Sequence, residues 1–225
     1  DAAACAPKVL FHTGEQLIDC AGDECTPYGF VFKRGHFERD EGQYDEVRET
    51  FGVSAVATVY RRSFFDDVGL FEEEFFAYYE DLDLCFRGRL AGYGFYYLPS
   101  ALALHRYSAT SGSQMKLGSE EVYIHLTGVW IKDAPAAMLL RHLPSVLLFH
   151  SAVFAGVMLA KMRRRRRLPK VRVARLLVSM MRKRGQVQRR RKAAVSEIEA
   201  RMVKVGVLSA LGTRVLKSLG RNLAP

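Results

Sequence analysis

The segment EDLDLCFRGRLAGYGFYYLPSALALH, residues 80–105, sets the fold class. Its first twelve residues place Leu82, Phe86 and Leu90 at helical spacing, and Gly92 stops the run. An alternating run follows and reads as a strand that Pro99 breaks. Helix and strand mix elsewhere too, so the body is α/β. Lys8–Phe11 reads as a short strand, and Glu15–Ala21 and Gly29–Lys33 read as strands flanking a Gly/Pro turn. The polar run RGHFERDEGQYDEVRET predicts a loop, and FGVSAVATVYRR, residues 51–62, predicts a buried strand. RSFFDDVGLF predicts a short helix with Ser63 as its cap, Asp66 and Asp67 in its first turn and Gly69 at its end. The opening DAAACAPKVLF reads like the middle of a domain, not like a secretory signal.

Charge divides the chain. Residues 162–225 hold 20 Lys+Arg and 2 Asp+Glu, whereas residues 1–161 hold 14 and 22. A mildly acidic body thus precedes a strongly basic tail, and such a tail seeks phosphate on a membrane or a nucleic acid. The four cysteines, Cys5, Cys20, Cys25 and Cys85, form no CxxC pair and have no histidine at zinc spacing. Buried reduced thiols in a reducing compartment are the expectation.

Three acids stand at the start of the predicted helix: Glu80, Asp81 and Asp83. Acids there satisfy free backbone amides and favour the positive end of the helix dipole, so a structural role suffices. A catalytic role is also open. With Leu82, Phe86 and Leu90 facing inward, Asp81 projects towards a cleft, where a carboxylate can act as a general base. Asp83 points elsewhere and can pair with Arg87 four residues on.

The motifs from Val59 to Gly112 resemble the C-terminal half of bacterial family 2 glycosyltransferases, the rhamnosyltransferase-like and galactofuranosyltransferase-like members above all. The matching features are Arg61-Arg62, Gly69-Leu70-Phe71, the aromatic run 75–79, Glu80-Asp81-Leu82-Asp83-Leu84, Arg87, Gly92-Tyr93, Pro99 and His105. The resemblance implies a GT-A (Rossmann-like) fold and an inverting transfer from a nucleotide-sugar donor to a glycan or glycolipid acceptor. It makes Asp81 the catalytic base, with Glu80 beside it. It makes His105 a ligand of a divalent metal, Mn²⁺ or Mg²⁺. The Asp81-Leu82-Asp83 triplet is not the family's metal motif, which ends a strand in the preceding nucleotide-binding half. This sequence opens where that half would end, so a fragment, or a second chain completing the donor site, is expected. Two departures stand out: Ser54-Ala55 where Gly-Ala is frequent, and Ile124-His125 where an Arg-Asn pair is frequent.

On this reading residues 1–118 form the acceptor half, 119–161 an apolar helical membrane-associating segment and 162–225 a basic amphipathic helical tail. The run LPSVLLFHSAVFAGVMLA, residues 143–160, has no formal charge. As a helix it extends ~27 Å. An interfacial helix is expected, with a span or a buried helix as alternatives. Arg163, Arg164, Arg165, Arg166 and Arg167, and further on Arg189, Arg190 and Arg191, are the candidate contacts to anionic headgroups. A solvated charged helix is the alternative. Nucleic acid is disfavoured, because no recognised binding fold surrounds the basic run and it lacks aromatics. Two function classes follow: a transferase at the cytoplasmic face of a bacterial membrane, and a noncatalytic basic membrane- or nucleic-acid-binding adaptor derived from one.

Overall fold

The computed structural model describes residues 2–13, 15–75, 77–106, 120–163 and 170–212. It is a mixed α/β structure. The strands are β1 (Ala2–Phe11), β2 (Ile18–Cys20), β3 (Asp23–Cys25), β4 (Val31–Lys33), β5 (Arg48–Thr50), β6 (Val59–Tyr60) and β7 (Gly94–His105). The helices are α1 (Arg62–Val68), α2 (Glu80–Ala91), α3 (Glu120–Asp133), α4 (Ala136–Arg141), α5 (Leu143–Arg163), α6 (Lys170–Arg189) and α7 (Val195–Ala200).

The main sheet runs in the order β2-β1-β7-β5, with β6 also pairing β1. Its centre is the parallel pair β1–β7, and the other pairings are antiparallel. Alanines at positions 3, 4 and 6 of β1 are buried, which lets helices approach closely. Pro99 does not break β7. It sits where the pairing jumps from Pro7–Leu98 to Lys8–Leu102, so residues 99–101 are bulged out and the strand continues to His105.

α2 lies between two layers. Leu82, Phe86 and Leu90 pack against Phe51, Phe75 and the α3 residues Leu126, Val129 and Trp130. Leu84 and Cys85 pack on the other side against Phe64, Phe95 and the β1 alanines. α2 is thus buried on two sides although five of its twelve residues are charged, and Asp83 and Arg89 are buried with it. Gly92 ends it in the left-handed region (φ +93°), its N–H bonding to the carbonyls of Arg89 and Gly88.

Several local expectations are corrected. The first strand begins at Ala2, six residues before Lys8, because its small side chains pair along β7. Within the expected loop, Arg48–Thr50 is a strand bonded to β7. Residues 51–54 are buried without being a strand, and only Val59–Tyr60 of the expected strand 51–62 pair. Ser63 does not cap α1. It lies inside the helix, whose N-cap is Arg61 with no side-chain bond. The four cysteines are free, and three of them are buried.

Candidate functional site

Gly52 makes the first contact that shapes the site. A Cβ at this position would lie 2.9 Å from the Cys85 Cβ, so only glycine lets the 52–55 segment run against α2. The Val53 amide then meets the Cys85 sulfur at 3.4 Å. Two residues on, the Ala55 amide donates to Asp81 Oδ2 at 3.1 Å, while Oδ1 faces the Leu82 amide at 2.8 Å. Asp81 is half-buried, and its carboxylate is held by the two backbone amides.

The chain enters α2 through two consecutive residues in the left-handed region, Tyr78 (φ 68°) and Tyr79 (φ 72°). Such residues cost ~1–3 kcal/mol each and persist only where surroundings fix them. His125 of α3 helps to do this: it is buried, and its Nδ1 faces the carbonyls of Ala77 (3.1 Å) and Tyr78 (3.2 Å). Position 125, where the resemblance expects an arginine or asparagine, thus supports the backbone in front of Glu80 and Asp81.

A second carboxylate reaches the same place from β3. The backbones of Asp23 and Gly52 exchange both hydrogen bonds (3.1 and 3.2 Å), which brings Asp23 beside the segment that contacts Asp81. Burial, and next the Asp81 charge, push the Asp23 carboxyl up to about 7. The same two causes push Glu80 to about 7. The Tyr60 and Cys85 protons are also held more tightly, by burial first and then by charges that include Asp81 and Asp23. Acidic groups close enough to resist joint ionisation are a frequent mark of proton-transfer sites.

Asp19 anchors the other end of the site. It is fully buried between Lys33 (3.1 Å to both oxygens), His36 (3.3 Å) and His105 (Nδ1–Oδ2 2.9 Å). Burial opposes its charge, but His36, Lys33 and His105 together hold its carboxyl well below the usual range. The Lys33 ammonium is favoured by Asp19 and also by Asp23, so the two ends are electrostatically linked. His105 ends β7 beside Phe11 of β1, and its carbonyl accepts from the His12 amide at 2.9 Å.

The structure therefore groups Glu80, Asp81 and Asp23, and places His105 on Asp19. An imidazole whose Nδ1 faces a buried carboxylate is suited to metal ligation through its other nitrogen. Among the described residues, however, no three histidine, cysteine, aspartate or glutamate side chains converge closely enough to hold a metal ion. The described residues alone do not complete the implied metal site. Sequence reasoning missed Asp19, Asp23, Lys33 and His36. The local signal for Asp19 and Asp23 was three acids, Asp19, Asp23 and Glu24, in the otherwise apolar run LIDCAGDEC.

Arg189 ends α6, and Arg190 and Arg191 follow it, all three exposed and lining a cleft with the turn after α1. Arg163 ends α5, and the expectations for Arg164, Arg165, Arg166 and Arg167 lie outside the described residues. No protein-family model and no curated protein matches the chain.

Proposed function

We propose that the chain is the acceptor-side part of an inverting glycosyltransferase of GT-A type, acting on a nucleotide-sugar donor and a glycan or glycolipid acceptor. One observation carries this reading: a half-buried Asp81, fixed by the Ala55 amide at 3.1 Å, sits with Asp23 and Glu80 where the resemblance expects a catalytic base. In the transfer, Asp81 accepts the proton of an acceptor hydroxyl as that oxygen attacks the anomeric carbon. The bond from that carbon to the diphosphate oxygen breaks, and its electron pair leaves with the diphosphate. Attack opposite the leaving group inverts the centre. Asp23 and Glu80, whose carboxyls burial and the Asp81 charge push up to about 7, flank Asp81, the group assigned to take the proton. The divalent metal, Mn²⁺ or Mg²⁺, belongs to the resemblance; His105, held by Asp19, would give it one donor.

The site of action proposed is the cytoplasmic face of a bacterial membrane, with peripheral or monotopic attachment. Among the described residues no helix is long and apolar enough to cross a membrane. A run of exposed apolar side chains on α4 and α5, including Leu140, Leu147, Leu148, Phe154 and Leu159, supports surface attachment. The same run favours the second reading, a noncatalytic membrane adaptor. Asp81→Asn separates the two. In the transferase with its complete donor site, turnover should fall ~10²–10⁴-fold with donor affinity retained, because asparagine keeps the shape and cannot take the proton. Near-normal turnover by the folded variant would take the base role away from Asp81, and no transfer by the parent protein would return the chain to the adaptor class.

A further inference from the structure

A cleft of about 780 Å³ opens on the side of α2 marked by Arg87, Leu90 and Ala91. One wall is the turn Gly69–Glu74, and the other is the end of α6 with the residues that follow it. Seven cationic and four acidic side chains line it. At its inner part the charges are matched. Lys132 meets Glu72 (3.0 Å) and Asp83 (2.6 Å), Arg87 meets Asp83 (3.0 Å), and Lys183 meets Glu72 (2.6 Å) and Glu74 (2.7 Å).

At the rim they are not. Arg189, Arg190, Arg191 and Lys192 are all exposed, and among the described residues none has an acidic partner. Arg191 donates to the Ala193 carbonyl at 2.8 Å and keeps its charge unpaired. The backbone that carries these four is not a free arm. The amides of Lys192 and Ala193 both bond to the Leu90 carbonyl (2.8 and 3.0 Å), so the rim is tied to the end of α2. Four cations carried on an anchored backbone at the mouth of a concave site focus a positive potential into it. Guanidinium forks and an ammonium together match phosphate oxygens in number and geometry. Leu70 and Phe71 on the facing wall offer apolar surface to the remainder of a ligand.

We propose that this cleft is an anion site for a phosphate monoester or diphosphate group, separate from the Asp81 site. It is independent of the transferase reading, since binding there can be measured without turnover. The group can come from a lipid headgroup or from a soluble phosphate compound.

The test is titration of the full chain with inorganic pyrophosphate by calorimetry. Saturable binding is expected, weakened at least about tenfold in the variant Arg189→Gln/Arg190→Gln/Lys192→Gln. The control Arg175→Gln/Arg182→Gln/Lys204→Gln removes the same charge from positions outside the cleft and should bind within about twofold of the parent. Absence of saturable binding, equal losses in both variants, or citrate binding as tightly as pyrophosphate would each overturn the assignment. Vesicles of phosphatidylcholine with and without phosphatidic acid identify the source. If the rim variant loses its preference for phosphatidic acid as well as pyrophosphate, the cleft takes the headgroup. If it loses only pyrophosphate, the cleft takes a soluble phosphate.

Discussion

Asp81 changes the proton affinity of its neighbours, and that has a thermodynamic consequence. In the folded chain Asp23 and Glu80 keep their protons up to about 7, whereas their ordinary values are 3.8 and 4.5. The folded state therefore binds more protons than the unfolded state across that interval, and stability falls as pH rises through it. Asp133, pushed well up by burial and by Asp83, acts in the same direction. Asp19, Glu49 and Glu72 are shifted down, so their contributions are present above the ordinary carboxylate range and are lost only in acid. Urea midpoints should thus decline from pH 5 to pH 8. Asp81→Asn should make that decline shallower without abolishing it, because burial remains the larger cause. Identical slopes for the parent and the variant would show that the three acids do not sense one another. Asp81 and Glu80 were legible because a helix start is a local pattern. Asp23 was not, because its partner Gly52 is 29 positions away and the contact depends on a backbone pairing that no local period encodes.

At the scale of elements, α2, α3 and α6 are joined by buried charge. Lys132 is almost wholly buried, and Asp83 wholly so. Burial works against the Lys132 ammonium, and the neighbouring acidic groups of Asp133 and Asp83, the latter 2.6 Å from its Nζ, outweigh that and hold its proton on. α6 in turn covers the end of α3: Arg184 donates to the Ile131 carbonyl (2.7 Å) and Gln188 to the Asp133 carbonyl (2.7 Å). Removing one partner from such a network strands the others. Lys132→Met should destabilise the chain by ~3–5 kcal/mol. Lys132→Met/Asp83→Leu should be less destabilised than the two single losses added together. Strict additivity in denaturant unfolding would show that the pair is not coupled. The sequence made the Asp83–Arg87 pair visible, since four residues on a helix bring side chains together, and the structure has it at 3.0 Å. Lys132 gave no such sign, because it meets Asp83 only through the packing of α3 on α2. Short strands were hidden for a different reason. The residues of β3, Asp-Glu-Cys, and of β5, Arg-Glu-Thr, lack the β-branched or aromatic density that marks a strand, and hydrogen bonds to β4 and β7 override that weak preference.

At the scale of the whole molecule, the described residues leave one apolar face exposed. α5 uses Phe149, Val146 and Val153 against the core, yet Leu143, Leu147, Leu148, Phe154 and Leu159 remain exposed on it, continued by Leu140 of α4. A helix apolar towards both core and solvent gains by burying its outer side in a lipid interface, at ~25 cal/mol per Å². On the membrane reading, the basic helix after it would add attraction to anionic headgroups, ~1 kcal/mol for each cation near the surface. α6 is not a free arm, since Leu176 and Met180 lie in the same core as α2 and α3. Deleting it would therefore test folding instead of attachment, and surface substitutions are the proper probe. The variant Leu147→Ser/Leu148→Ser/Phe154→Ser changes only exposed positions and should keep the thermal midpoint. It should lose most binding to neutral phosphatidylcholine vesicles and retain part of its binding to anionic ones. High salt should remove that remainder, because headgroup attraction is screened and apolar insertion is not. Sodium carbonate at alkaline pH should release the parent chain from membranes. Resistance to carbonate would mean an integral anchor, and equal binding by parent and variant to neutral vesicles would move the contact away from α5.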